Sequence, residues 1–263
     1  MRFINSLSTS SRMQSALLGL FSVVLLASCS SAPNSNNLSS QTRSEPSVNA
    51  ADKDIVDLVN LNSKGANNSL SDIAGSTDTR NAYLEQAPQR LAEVPAAVLA
   101  QYQQAINAMK NQQWQSANSL FDDVIAAQPQ LSGAYVNKAL IAINQQAFAQ
   151  ADTLLEQAIK ANSNNPYAHQ IKANLARKNG QYAQAEQGYI SALTLWPQYP
   201  QAQLNLAILL ELYRGKLLQA RQFYLAYLAN QPDDEQAKRW LAGVEIKIKR
   251  AGLTLPGNTN GAG

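Results

Sequence analysis

Between Val98 and Pro232 the chain repeats itself, and that repetition limits its fold more than any other feature. Trp114-Gln115-Ser116-Ala117, Phe148-Ala149-Gln150-Ala151, Tyr182-Ala183-Gln184-Ala185 and Leu217-Leu218-Gln219-Ala220 are four copies of one pattern. Their alanines recur at intervals of 34, 34 and 35 residues, the additional residue falling near Arg214-Gly215. Each alanine is followed four places later by a large residue: Phe121, Leu155, Tyr189 or Tyr224. Each is preceded by a second small one: Ala105, Ala139, Ala173 or Ala207. Pro129, Pro197 and Pro232 close three copies, because proline cannot continue a helix. In the remaining copy Ser163 stands in that place and Pro166 follows. A period of ~34 residues holding two helical patterns marks a stacked helical array. The small residues let paired helices approach, and the large ones fill the space between pairs.

The spacing predicts a first helix from Pro95 to about Asn111. Others follow over Trp114–Ala127, Ser132–Asn144, Phe148–Ala161, Pro166–Lys178, Tyr182–Leu195, Pro200–Tyr213 and Leu217–Ala229. Beyond Pro232, Asp233-Asp234-Glu235 opens a last helix whose stripe is Ala237, Trp240, Leu241 and Val244. Lys247, Lys249 and Arg250 stand at its basic end, an order of charge that complements the helix dipole. It is expected to cap the array over residues 95–250, with a disordered tail over 251–263.

The repeat resembles the tetratricopeptide repeat family, over roughly half of the chain. The resemblance implies an all-α, right-handed solenoid of four helix pairs in which the first helix of each pair lines a groove. Its groove positions fall on Leu99, Tyr102, Ile106 and Met109 in repeat one and on Val136, Leu140, Ile143 and Asn144 in repeat two. Repeat three supplies Gln170, Asn174, Arg177 and Lys178, and repeat four Leu204, Ile208 and Glu211. Such a groove is apolar over the first two repeats and polar to basic in the third. The family's clamp for chaperone tails needs basic and amide residues in repeat one, where Tyr102 and Ile106 stand; that partner is not implied.

Before the array the sequence changes character. Arg2 and Arg12 precede an apolar run from Ala16 to Ala27 and then Leu26-Ala27-Ser28-Cys29. This reads as a signal peptide over residues 1–28. The run is too short to span a bilayer, which takes ~20 apolar residues. Leu-Ala-Ser-Cys resembles the bacterial lipobox, which implies lipidation of Cys29, the single cysteine of the chain. Ser30 follows it rather than Asp, and in a Gram-negative source that implies the periplasmic face of the outer membrane. Residues 29–94 read as a lipidated flexible linker, since Ser, Asn, Pro and Gln bury too little surface to offset ordering. Within it, Ile55, Leu58 and Val59 share one helical face between Asp52 and Leu61; this segment is expected to dock or to stay disordered. Occupation of the groove by residues 52–61, until a partner displaces them, is one expectation. A short helical stretch near Asn81–Ala87 is expected to break at Pro88.

Composition narrows the chemistry. With 21 basic and 18 acidic residues, the charge implies no nucleic-acid partner. There is one histidine, His169, on a first helix at a position expected to pack between helices. Asp122-Asp123 and Asp233-Asp234 are adjacent, so they point different ways on a helix. No ligand-spaced cluster, phosphate loop or nucleophile elbow appears; neither metal, cofactor nor small-molecule substrate is expected, and no enzymatic activity. The expected partner is a protein. Repeat lipoproteins that assemble pilus secretins are similar in layout, as are regulators of peptidoglycan enzymes and adaptors of periplasmic proteases.

Overall fold

A computed structural model describes residues 69–255 of the chain. All regular structure among them is helical. Three short helices lead in: α1 (Leu70–Ala74), α2 (Ala82–Glu85) and α3 (Ala87–Ala92). Four pairs follow: α4 (Ala96–Lys110) with α5 (Trp114–Ala127), α6 (Ser132–Asn144) with α7 (Phe148–Ala161), α8 (Pro166–Lys178) with α9 (Tyr182–Leu195), and α10 (Pro200–Leu212) with α11 (Leu217–Asn230). The last helix, α12 (Glu235–Arg250), packs on α11. The predicted helices are therefore present, and no end is shifted by more than one residue.

The repeat alanines do what their spacing requires. Ala117, Ala151, Ala185 and Ala220 are fully buried, as are Ala105, Ala139 and Ala207, with Ala173 nearly so. Phe121, Leu155, Tyr189 and Tyr224 are buried beside them. Each such large side chain contributes roughly 1.5–3 kcal/mol on burial. In the third pair the seam is close enough that a Cβ on Gly188 would lie 2.8 Å from the Cβ of Ala173. Asn165 and Asp234 cap α8 and α12 through their side chains, and Pro166 and Pro200 occupy first turns that tolerate proline.

The turn inside each pair is also periodic. Gln112, Gln146, Gly180 and Gly215 all have positive φ, at 58°, 62°, 77° and 64°. In the first three, the N–H of the next residue donates to the carbonyl five residues back, closing the helix end as in a Schellman turn. In the fourth, Lys216 N–H reaches the carbonyl of Leu210 instead, so the inserted residue is absorbed in the turn and the second helix keeps its register. Glu186, buried on α9, accepts from Arg214 Nε (2.7 Å) and Lys216 Nζ (2.6 Å) and ties this longer turn to the preceding pair.

The lead-in departs from expectation. A flexible linker to residue 94 is not what residues 69–94 form; they make a strap that packs on the array. Ser69 and Asp72 form a capping box on α1 and Ile73 is buried in the core of the last two pairs. The α1 helix lies on α9 and α11, and Ser71 Oγ donates to Gln222 at 3.3 Å. Gln198 Nε2 donates to the Thr77 carbonyl, Asn164 Nδ2 to Gln86, and the Tyr83 ring meets Tyr167 edge-on at 6.1 Å. Leu91 and Val94 then reach the core of the first pair. The strap thus runs along the turns between repeats, opposite to the direction of the array. Pro88 does not break a helix but sits in the first turn of α3, the one place where its missing N–H costs nothing. At the other end Leu255 packs on the core, so the tail is ordered at least that far. Signal peptide, Cys29, residues 52–61 and 256–263 lie outside the described residues.

Candidate functional site

The groove positions occupy one face of α4, α6, α8 and α10, but they are not equally available. Leu99, Tyr102, Ile106 and Met109 on α4, Leu140 and Ile143 on α6, and Leu204 and Ile208 on α10 are half-buried. Val136 and Gln170 are buried at 3% and 5% exposure, so neither can meet a partner; Gln170 Oε1 instead faces the Tyr199 hydroxyl at 3.4 Å. Asn144 is exposed.

Tyr102 belongs to the groove wall. Its ring packs edge-on against Phe121 at 5.7 Å, and its hydroxyl accepts from Asn137 Nδ2 at 2.9 Å. Burial pushes that phenol well above its usual pKa. A Cβ on Gly133 would lie 2.7 Å from this hydroxyl and 3.3 Å from that of Tyr83. Gly133 is helical, so it is there for space, and the space is shared by the groove wall and the strap. Tyr83 is held by Arg90, which donates to its carbonyl at 2.6 Å and stacks 4.4 Å from its ring centroid. The starts of α6 and α8 are therefore already covered by the chain's own Tyr83.

In the third pair the polar groups satisfy one another. The Tyr189 hydroxyl donates to Asn174 at 2.6 Å and accepts from Arg177 Nε at 3.3 Å. Lys178 Nζ lies 3.3 Å from the centroid of the Phe148 ring, which turns its charge toward α7. In the fourth, Glu211 accepts from Tyr224 (2.7 Å) and from Lys247 Nζ of α12 (2.7 Å). That last bond was not anticipated. It ties α12 to the groove position Glu211 on α10. Carrying the repeat register one copy on aligns Arg239, Gly243, Ile246 and Lys247 of α12 with Leu204, Ile208, Glu211 and Leu212 of α10.

Away from the groove, one open cleft of about 840 Å³ is lined by Gln113, Trp114 and Gln145, and another of about 460 Å³ lies between α5, α6 and α7, lined by Ile125, Tyr135, Leu154 and the Asp122–Lys138 ion pair. Its carboxylate is paired and no histidine or cysteine reaches it, so it holds no catalytic set. His169 packs as its position predicts, with Nε2 2.9 Å from the Ser163 carbonyl; burial lowers its pKa. Among the described residues there is no group of three or more metal-binding side chains and no helix long and apolar enough to cross a membrane.

A stack of helix pairs whose first helices share an open face defines a helical-repeat scaffold for binding proteins. Two family models, both described as tetratricopeptide repeat, match residues 108–175 and 172–235, and the chain belongs to that family. Solved structures agree on the fold. PilF of Pseudomonas aeruginosa is 18% identical, with a TM-score of 0.52 over 59% of this chain and 70% of that one. MamA is 13% identical, with a TM-score of 0.50 over 59% and 83%. A MamA RS-1 double mutant is 12% identical, with a TM-score of 0.51 over 60% and 90%. No curated protein sequence matches the chain.

Proposed function

We propose that this protein is a non-enzymatic envelope scaffold, lipid-anchored through Cys29 at the periplasmic face of the outer membrane, whose groove holds a protein partner. The observation that carries the binding role is the set of half-exposed apolar side chains on the first helices, Ile106 on α4, Leu140 and Ile143 on α6, and Leu204 and Ile208 on α10, with the polar face of α8 between them. Apolar surface held in register on a rigid frame is what an amphipathic or extended segment of a partner buries. Anchoring is supported by the sequence alone, through Leu26-Ala27-Ser28-Cys29 after the apolar run. Among envelope machines, assembly of a pilus secretin is the preferred service, because repeat lipoproteins of that kind share this layout and PilF shares the fold.

The test combines two changes in the full chain. Cys29→Ser should release the protein from the membrane fraction or leave its signal uncut. A photo-crosslinking residue at Leu140 or Leu204 should capture a pilus-assembly protein in intact envelopes, while one at Lys160 on α7 should not. Normal processing and fractionation of Cys29→Ser removes the anchor. Equal capture from Lys160, or none from either groove position, removes the groove.

A further inference from the structure

The strap and the surface beneath it are built differently. The array makes its own half. Asn165 caps α8 through Oδ1, and its Nδ2 donates to Ser132 Oγ at 3.0 Å, which joins the starts of α6 and α8. Trp196 stacks on Tyr199 at 4.6 Å, and Tyr167 meets these two rings edge-on at 6.1 and 5.5 Å. All of these partners belong to the repeats, so the surface is in place without the strap. Residues 69–86 have no such frame. The α1 and α2 helices are 5 and 4 residues long, too short to persist alone, and residues 76–81 between them form no regular structure.

The two halves fit loosely. Of residues 69–86, only Ile73 and Asn81 are buried, and Leu84 is left 48% exposed. The hydrogen bonds that Ser71, Thr77, Tyr83 and Gln86 make to the array are 3.2–3.5 Å long, at the weak end of the range. Asn162 lies in the turn that Gln86 touches, and its buried Nδ2 has no acceptor among the described residues. The other end of the strap is different, since Leu91 and Val94 pack into the core of the first pair.

We propose that residues 69–86 are an exchangeable occupant of a peptide site, and that a partner segment with the same two anchors, a branched aliphatic residue and a tyrosine ten positions later, displaces them while Leu91 and Val94 stay seated. The aliphatic residue takes the place of Ile73 in the core of the last two pairs. The ring takes the place of Tyr83 against Tyr167 and Ser132, and an acceptor on the partner meets Asn162 Nδ2. A preformed surface loses little freedom when a ligand settles on it. Tethering holds the strap at an effective concentration of order millimolar, so in its resting state the chain inhibits its own site and admits only a segment that fits better. This site lies along the turns between repeats and is distinct from the first-helix face.

The probe is a fluorescein-labelled peptide of residues 69–86, titrated by anisotropy into the full-length protein in detergent. Ile73→Ala with Tyr83→Ala in the protein loosens the strap and leaves its seat intact, so this variant should bind the peptide at least about tenfold more tightly than the parent. A peptide carrying the same two changes should bind neither protein. Ile106→Glu with Leu140→Glu should leave binding unchanged, which separates this site from the groove. If circular dichroism shows that the strap variant has lost helix, Ser71→Ala with Gln86→Ala loosens the strap without removing a buried group and should strengthen binding several-fold. Parental affinity in the folded strap variant overturns the proposal, as does peptide binding that survives loss of both anchors. Should the parent dimerise with rising concentration while the strap variant does not, the seat is filled from a second copy and the partner segment is ruled out.

Discussion

The turns inside the helix pairs offer a two-sided test of how the array is held together. Four residues at one repeat position take positive φ, yet only Gly180 and Gly215 are glycine; Gln112 and Gln146 adopt it with a side chain. The left-handed conformation costs a non-glycine residue roughly 1–2 kcal/mol. Replacing each glutamine by glycine removes that cost but gives the unfolded chain more freedom, worth about 0.4–1 kcal/mol in the opposite sense. The net gain is about 0.5–1 kcal/mol per site. Both glutamines are exposed and lie in different pairs, so the double variant should gain about 1–2 kcal/mol. For a folded region of this size that is roughly 2–8 °C in melting temperature. Gly180→Ala should move the other way by about 1 kcal/mol, and no atom lies within 4 Å of the new Cβ to confuse the result. The measurement is urea and thermal unfolding followed by far-UV circular dichroism, with the slope in urea compared across variants. If Gln112→Gly and Gln146→Gly destabilise, or Gly180→Ala is silent, the turns are not strained and the argument fails.

Three further outcomes are expected. Ala151→Asp or Ala185→Asp, each placing a carboxylate in a fully buried seam, should unfold the array, and parental melting of either would refute the seam assignment. Gly133→Ala should cost about 1–3 kcal/mol by crowding the two tyrosine hydroxyls and should speed proteolysis within residues 69–94; unchanged cleavage would show that the strap is not seated there. His169 has its folded pKa lowered from 6.5, first by burial, with the Ser163 carbonyl opposing. The unfolded chain therefore takes up a proton first as pH falls, so stability is full above about 6.5 and declines below it toward the folded pKa. His169→Gln should flatten that decline, and an unaltered slope would assign it to other groups.

The array was legible because its constraints recur: an alanine in a seam and a large residue four places later are stated four times, and a closing proline three times. Together they leave one arrangement for the pairs, and only helix ends moved. The strap was not legible, because α1, α2 and α3 are 5, 4 and 6 residues long and carry no periodicity of their own. Their order comes from contacts with distant residues such as Gln222 and Tyr167, which composition does not reveal. The Ser69–Asp72 capping spacing and Asn81 were the available local signals. The groove was legible as a face but not in its exposure. Val136 and Gln170 satisfy the family register while buried, and Arg177 and Lys178 are bonded to Tyr189 and Phe148. The bond from Lys247 to Glu211 was not legible because α12 lies outside the four repeats.

The strap also sets an order of events. Helices of that length are not stable alone, and Ser71 finds its partner 151 residues later, at Gln222. In synthesis the strap emerges before any repeat, but α1 has no seat until α9 and α11 exist. Ile73 must therefore wait in solvent while the repeats fold on one another, and its docking is the closing step. A nearest-neighbour array ordinarily frays from either end independently. Here a segment made before every repeat joins the beginning of the array to its last pair, so neither end opens without disturbing the other, and a truncated chain lacking the fourth pair is marked by a strap with nowhere to lie.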